Sequence, residues 1–354
     1  MTPNKIARFL ETLTIGTIGG AVFAVANLPL PWVLGALSFV LVWQGITKRN
    51  ANWPEPVKNT GFLTLGIYFG LYFTKSTFVT VGPYLLPYVS ATVALIATSI
   101  LFATVVTKWI DVDRVTSVFG AIPGGLSEMA IASEALKANT SLVVIFQTIR
   151  LLTVLFIVPF VIVFSFSSGQ AGAEVSTSLN ESAVPWSWNA TLYILPVVIG
   201  VLMRNTIPAG IVIIPLTITA LINIFGTALP PFPPLLLIAA QVTVGIGLGK
   251  RISFNDLKVG GKYCLVYFAI AVGLIAASFG LGAVLAEWTS LNLATAMLSV
   301  APGGLIEMVL TASIVGGDPA IVSALQLVRL LVIIIFVPPI LKWYFQRKTA
   351  SFST

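Results

Sequence analysis

Histidine is absent from this 354-residue sequence, cysteine occurs once, and only 9% of residues are charged. Without histidine, and with Cys264 alone, the usual copper, haem and zinc ligand sets cannot be assembled. The single cysteine also excludes an intrachain disulfide. No nucleotide-binding motif is visible, so no cofactor is implied, and ATP-driven work would need a partner. The net charge of +7 comes from basic residues scattered singly near the ends of apolar runs. There is no basic stripe or recognition module of the kind that binds nucleic acid. A soluble domain carries about 25% charged residues, so the shortage of charge excludes that class too.

What fills the chain is apolar: 57% of residues are hydrophobic, in long continuous runs rather than the short alternating segments of a β-barrel. These runs predict an all-α polytopic membrane protein with no separate soluble domain. Spans are expected near 12–27, 31–47, 57–74, 84–108 and 140–165, then near 190–204, 208–228, 234–249, 261–287 and 320–343. Lys5 and Arg8 before an apolar run and Ala24-Val25-Ala26 resemble a cleaved signal peptide. Cleavage is not expected, because the segment belongs to a repeat.

One phrase stands out against this background. Pro123-Gly124-Gly125-Leu126-Ser127-Glu128-Met129 returns as Pro302-Gly303-Gly304-Leu305-Ile306-Glu307-Met308, 179 residues on (302 − 123 = 179). The same offset sets Gly66 and Gly70 on Gly245 and Gly249, Gln147 on Gln326, and Arg150-Leu151-Leu152 on Arg329-Leu330-Leu331. The chain is therefore read as two homologous halves, residues 1–165 and 189–354, joined by a polar linker at 166–188.

Charge sets the orientation of the halves. Lys48, Arg49, Lys58 and Lys108 match Thr227, Ala228, Leu237 and Glu287. Arg204, Lys250, Arg251, Lys258, Lys262 and Lys342 match Val25, Leu71, Tyr72, Val79, Pro83 and Val163. By the positive-inside rule, equivalent loops then lie on opposite sides of the membrane. Lys75 and Lys137 fit less well. Inverted halves need an odd number of crossings each. Five spans plus a motif segment that enters and returns satisfies this, with both termini cytoplasmic and the linker outside. A fully crossing motif segment would make the halves parallel instead.

The motif itself breaks a helix. Proline has no backbone donor and glycine relaxes the backbone. In lipid, broken backbone is tolerated only where protein or water covers it. Pro123, Gly124 and Gly125, with Pro302, Gly303 and Gly304, are therefore expected in the interior. The half-helix after each break would aim free N–H groups at a central site. A plain kink is the blander reading of either copy. Two copies, each followed by a glutamate, favour a site.

Glu128 and Glu307 follow the breaks by about a turn and could bind a proton or Na⁺, or neutralise an arginine. Ser127 has Ile306 as its counterpart, so the two sites should differ. Arg150 and Arg329 lie inside apolar spans, and Gln147 and Gln326 sit three residues earlier on the same face. One reading is a buried Glu–Arg pair that locks the fold. The other has the arginines and glutamines binding an anionic group such as a carboxylate. Gly66-x-x-x-Gly70 and Gly245-x-x-x-Gly249 read as helix packing, and Trp109, Trp288, Trp186, Trp188 and Trp343 as interfacial anchors. Asp111, Asp113 and Arg114 read as a solvated cluster, with Asn292 opposite Asp113. Asn139 and Asp318 read as N-caps.

At these residues the sequence resembles the AbrB-type duplicated membrane proteins of bacteria. The resemblance rests on the paired Pro-Gly-Gly-x-x-Glu-Met motifs and the Gln-x-x-Arg-Leu-Leu after each. It implies location in the bacterial inner membrane. Such proteins have been labelled ammonia monooxygenase or regulator. The first label fails for want of copper ligands, and the second finds no DNA-binding module. The layout also looks like elevator-type transporters of organic anions, which are often dimers.

The expectation is a secondary transporter rather than an enzyme. It would move a small, carboxylate-bearing solute, coupled to H⁺ or Na⁺ through Glu128 or Glu307, possible as a homodimer. A membrane-embedded regulator acting through a protein partner is the alternative. An enzyme is third, for want of a metal cluster or histidine base.

Overall fold

The computed structural model describes residues 3–166, 188–226, 229–252 and 258–350. Every regular element among them is a helix. The first half contains α1 (Pro3–Val25), a π-helical turn (Pro31–Gly35) leading into α2 (Ala36–Thr47), α3 (Glu55–Gly70), α4 (Lys75–Val81), α5 (Leu85–Val106), α6 (Arg114–Ala121), α7 (Leu126–Glu134) and α8 (Thr140–Phe166). The second contains α9 (Ile194–Leu202), α10 (Gly210–Phe225), α11 (Pro234–Arg251), α12 (Lys262–Trp288), α13 (Leu293–Val300), α14 (Leu305–Ile314) and α15 (Pro319–Ala350). Most of the linker expected at 166–188, Trp186 included, lies outside the described residues.

Among the described residues, five helical stretches are long and apolar enough to cross a bilayer: Lys5–Val25, Lys75–Val106, Thr140–Phe166, Lys262–Trp288 and Pro319–Phe345. Pro31–Thr47, Asn189–Leu202, Gly210–Phe225 and Leu305–Ile314 are apolar but shorter. α5 shows why these segments suit a membrane. Tyr88, Ala91, Thr92, Leu95, Ser99, Ala103 and Val106 recur at helical spacing and form its buried stripe. Its other faces are apolar too, with Leu86, Val93 and Leu101 exposed. A soluble monomer rarely exposes so much contiguous apolar surface, and hydrocarbon is the solvent that tolerates it. Trp109, Trp288 and Trp343 are exposed near helix ends, as interfacial anchors are.

The chain forms two compact units, each drawn from both halves. One comprises Met1–Thr80, Pro159–Ser253 and Val309–Ala320; the other comprises Val81–Val158, Phe254–Met308 and Ile321–Thr354.

In the first unit the glycines of α3 and α11 let helices meet backbone to backbone. A Cβ on Gly66 would collide with the Val212 carbonyl oxygen, and one on Gly70 would stand 2.6 Å from Leu216 O. A Cβ on Gly245 would collide with Val33 O, and one on Gly249 would stand 2.8 Å from Leu37 O. Val33 and Leu37 are the 179-residue counterparts of Val212 and Leu216. Each half thus lays its glycine helix on the same carbonyls of the other half, the reciprocity of a two-fold contact. At Gly61 a Cβ would lie 3.0 Å from the carbonyl of Ala240, its own counterpart.

Side-chain amides repeat this exchange. Gln44 Nε2 donates to Gly249 O at 3.0 Å, at the end of α11. Its counterpart Asn223 donates through Nδ2 to Leu71 O at 3.0 Å and Phe73 O at 2.9 Å, beyond the end of α3. Carbonyls at each helix end thus receive a side-chain donor from the opposite half. Leu30 and Ala209, also 179 apart, both hold left-handed backbone, at φ 47° and φ 54°. Such a conformation is uncommon for residues with a side chain. Its recurrence shows that both halves use the same turn to enter the following helix.

Candidate functional site

Both seven-residue motifs, residues 123–129 and 302–308, fall in the second unit, each at an extended break between two short helices. Asp113 starts the first: its Oδ1 accepts from Thr116 N at 2.8 Å, capping α6. Asn292 does the same for α13, accepting from Ala294 N at 2.9 Å. Asp111, Asp113 and Arg114 are all exposed, as a solvated cluster would be, and Asp113 is in addition the N-cap of α6. The sequence signal was present in its polar counterpart. Asn139 and Asp318 cap α8 and α15 as expected, accepting from Leu142 N and Ala320 N.

Both breaks have one geometry. Ile122 leaves α6 at φ −62°, ψ 132°, and Ala301 leaves α13 at φ −52°, ψ 134°. Gly124 N donates back to Ile122 O at 2.7 Å, and Gly303 N to Ala301 O at 2.8 Å, closing a three-residue turn over each proline. α7 then begins at Leu126 and α14 at Leu305.

A break of this kind leaves helix-end carbonyls without intrahelical donors. Gln147 and Gln326 close them. Gln147 Nε2 donates to Phe119 O at 2.6 Å and Ile122 O at 2.9 Å. Gln326 Nε2 donates to Leu298 O at 2.8 Å and Ala301 O at 3.4 Å, the equivalent carbonyls. Arg150 Nη2 reaches Gly124 O at 3.2 Å, and Arg329 Nη2 reaches Gly303 O at 2.6 Å, again equivalent.

The arginines then diverge. Arg150 Nη2 also donates to Gln147 Oε1 at 2.8 Å, and its Nη1 reaches Pro302 O, in the other half, at 3.5 Å. Arg329 Nη1 instead donates to Ala301 O in its own half. Two buried polar atoms lack any partner here: Arg150 Nε and Gln326 Oε1. Among the described residues, the ion pair seen joins Glu55 to Lys58; neither guanidinium forms one. The buried Glu–Arg lock is not formed.

The glutamates lie elsewhere. A Cβ on Gly125 would collide with the Glu128 carboxylate, and one on Gly304 with that of Glu307. Each carboxylate therefore folds back against the glycine that precedes its half-helix. Each sits three residues into the helix start, where a negative group meets the open N–H groups and the positive end of the dipole. A side chain at either glycine would displace the carboxylate from this position. The neighbouring glycines do the same for methionine: a Cβ on Gly124 would lie 2.5 Å from Met129 Cε, and one on Gly303 2.6 Å from Met308 Cε. Glu307 is 5% exposed, whereas Glu128 is half-buried. The side chain of Ser127 lies outside the described residues.

The structure thus gathers Pro123, Gly124, Gly125, Glu128, Gln147 and Arg150 with their counterparts Pro302, Gly303, Gly304, Glu307, Gln326 and Arg329 in one unit. Sequence reasoning passed over two further residues. Tyr88 OH donates to Ser299 O at 2.9 Å, and Tyr267 OH bonds Ser117 Oγ at 2.7 Å. Each tyrosine comes from one half and holds the pre-motif helix of the other. The two are 179 residues apart, which was the signal available. Phe146 stacks on Tyr267 with ring centroids 3.5 Å apart.

Residues 32–345 match the family described as "Transition state regulatory protein AbrB". The chain is 24% identical to "Uncharacterized protein YhjN" of Bacillus subtilis (strain 168), over 95% of this chain and 93% of the relative. It is 29% identical to "Putative regulator AbrB" of Escherichia coli (strain K12), over 64% of this chain and 65% of that protein. No solved structure matches it.

Proposed function

The chain belongs to the AbrB family, and from that premise we propose that it is a secondary transporter of a small, carboxylate-bearing solute. One observation carries the reading. A single compact unit contains both Pro-Gly-Gly breaks, with amide and guanidinium groups on the carbonyls before each break and a carboxylate at the N–H end after it. Broken helices with intramembrane ionisable groups are how transporters expose backbone to solutes and ions. Arg150 and Arg329, with the Gly124, Gly125, Gly303 and Gly304 backbone, would meet the anionic group. Glu128 or Glu307 would couple to H⁺ or Na⁺.

In this reading the halves are inverted and the motif segments are re-entrant, as the exchange of basic residues between halves argues. The reciprocal glycine contacts are compatible with a two-fold relation between the halves, and the swap of basic residues is what favours inversion. Both termini would face the cytoplasm of a bacterial inner membrane. A homodimer would follow the analogy with elevator-type carriers, in which one unit carries the site while the other anchors. The test is flux of labelled carboxylates and amino acids into proteoliposomes under H⁺ and Na⁺ gradients. Absence of flux for every member of a broad panel would sink the proposal.

A second reading draws on the name of the Escherichia coli relative. A membrane-embedded regulator would act through a soluble partner. It requires stoichiometric capture of one defined protein together with no flux.

A further inference from the structure

We infer that the solute carries a hydroxyl group beside its carboxylate. The inference rests on the reading of this cluster as a solute site, and it comes from two of the buried polar atoms left without a partner, Arg150 Nε and Gln326 Oε1. Arg150 is 8% exposed and Gln326 is 2% exposed. Arg150 Nε has no acceptor and Gln326 Oε1 has no donor. Buried polar groups are nearly always partnered, and an exception asks for an occupant.

The two copies differ at this point. In the first, Gln147 Oε1 is filled by Arg150. In the second, Arg329 turns to the Ala301 carbonyl instead and leaves Gln326 Oε1 open. Both side chains reach the break that follows α13. Gln326 Nε2 is anchored on Ala301 O and Arg150 Nη1 on Pro302 O. These are successive residues, with α-carbons about 3.8 Å apart. The Arg150 bond is long at 3.5 Å, so it is the contact most readily given up to a solute.

The chemistry of the occupant follows. Arg150 Nε is a charged donor and takes a carboxylate oxygen. Arg329 adds a second guanidinium bonded to the same stretch of backbone, with neutral acceptors only. Gln326 Oε1 is an acceptor and can be satisfied only by a donor. A plain carboxylic acid offers none when ionised. An ammonium group offers one but brings a third positive charge beside two guanidiniums, which repel it. A hydroxyl donates without charge. The occupant is therefore a hydroxycarboxylate.

The experiment measures equilibrium binding by calorimetry to the intact chain in lipid nanodiscs, using matched sets: lactate, propionate and alanine; malate, succinate and aspartate. The hydroxy acid should bind about tenfold or more tightly than its deoxy partner, because a site built around a hydroxyl leaves its own acceptor unpaired with the analogue. It should also bind more tightly than the amino analogue. Gln326→Met should bring each hydroxy and deoxy pair to within about twofold. The wild-type comparison stands alone if that variant does not fold. Equal affinities within the pairs, as when water alone fills both positions, overturn the inference. So does tighter binding of the amino acid, or binding of no member of either set. A binding preference without vesicle flux leaves the inference standing and removes the transporter. Flux without preference does the reverse.

Discussion

Arg150 donates through Nη2 to Oε1 of Gln147 at 2.8 Å, and the pair 179 residues on, Arg329 and Gln326, makes no such bond. The two broken helices share their backbone and their caps but not their charge network. In one copy the glutamine acceptor is filled by its own arginine, and in the other it stands open. The predictions follow from this inequality and from the packing around it.

Gln147→Leu should destabilise more than Gln326→Leu. Leucine at 147 opens the carbonyl of Phe119, takes one of two donors from Ile122 O, which keeps Gly124 N, and removes an acceptor from a buried guanidinium. At 326 it opens Leu298 O, while Ala301 O keeps its bond from Arg329. Each lost buried hydrogen bond costs about 1–3 kcal/mol, so the difference should be about 1 kcal/mol or more. Thermal unfolding in one detergent, run in parallel, reads it. Equal losses contradict the asymmetry.

Glu128→Gln and Glu307→Gln should differ in flux. Glu307 is buried and Glu128 is half-buried beside the non-equivalent Ser127. A buried carboxylate has few alternatives to the partners it was folded against. The Glu307 change should reduce flux by about tenfold or more and the Glu128 change by only a few-fold. Matching losses would refute the claim that the sites are unequal.

Gly66→Ala and Gly245→Ala should destabilise alike, by about 1–3 kcal/mol. In each case the new methyl meets a backbone oxygen, Val212 O or Val33 O, that cannot swing aside. Gly280→Ala is the control, since a Cβ there meets nothing within 4 Å. Melting temperatures should fall for the first two and hold for the third.

Glu55 should give a small acid-side loss of stability. The hydrogen bond from Lys58 holds its carboxyl below the usual carboxylate range. A lowered folded-state value means the stabilisation is present above the unfolded value and is lost as pH falls through the folded one. The window therefore lies below about pH 4.5. The side chain is 64% exposed, so the effect should stay under about 1 kcal/mol and shrink in salt. Comparing wild type with Glu55→Gln at about pH 6 and pH 3 measures it; a gap that widens on acidification contradicts the pairing.

The helices were legible because a bilayer-spanning segment advertises itself by length and apolarity, and the breaks because Pro-Gly-Gly interrupts such a run. The N-caps at Asn139 and Asp318 were legible from residue type and place. The roles of Gln147 and Arg150 were only partly so. Polarity inside a span marks a function, but sequence does not say whether the group serves a solute or the protein's own carbonyls. Here the first call on both residues is the broken backbone. Gln44, Asn223, Tyr88 and Tyr267 were harder, because their partners are carbonyls, which every residue possesses. Only the constant offset could have singled them out.

The glycine contacts between α3 and α10, and between α11 and α2, bear on the ancestry of the chain. Neither half supplies the carbonyl surface on which its own glycine helix rests; each borrows it from the other. A single half expressed alone would be left with that surface bare, and the nearest substitute would be a second copy of itself. The two-fold exchange is therefore what a pair of identical short polypeptides would have made before their genes were joined. Joined in one chain, the two halves need not stay identical, and Ser127 and Ile306 are one place where they differ.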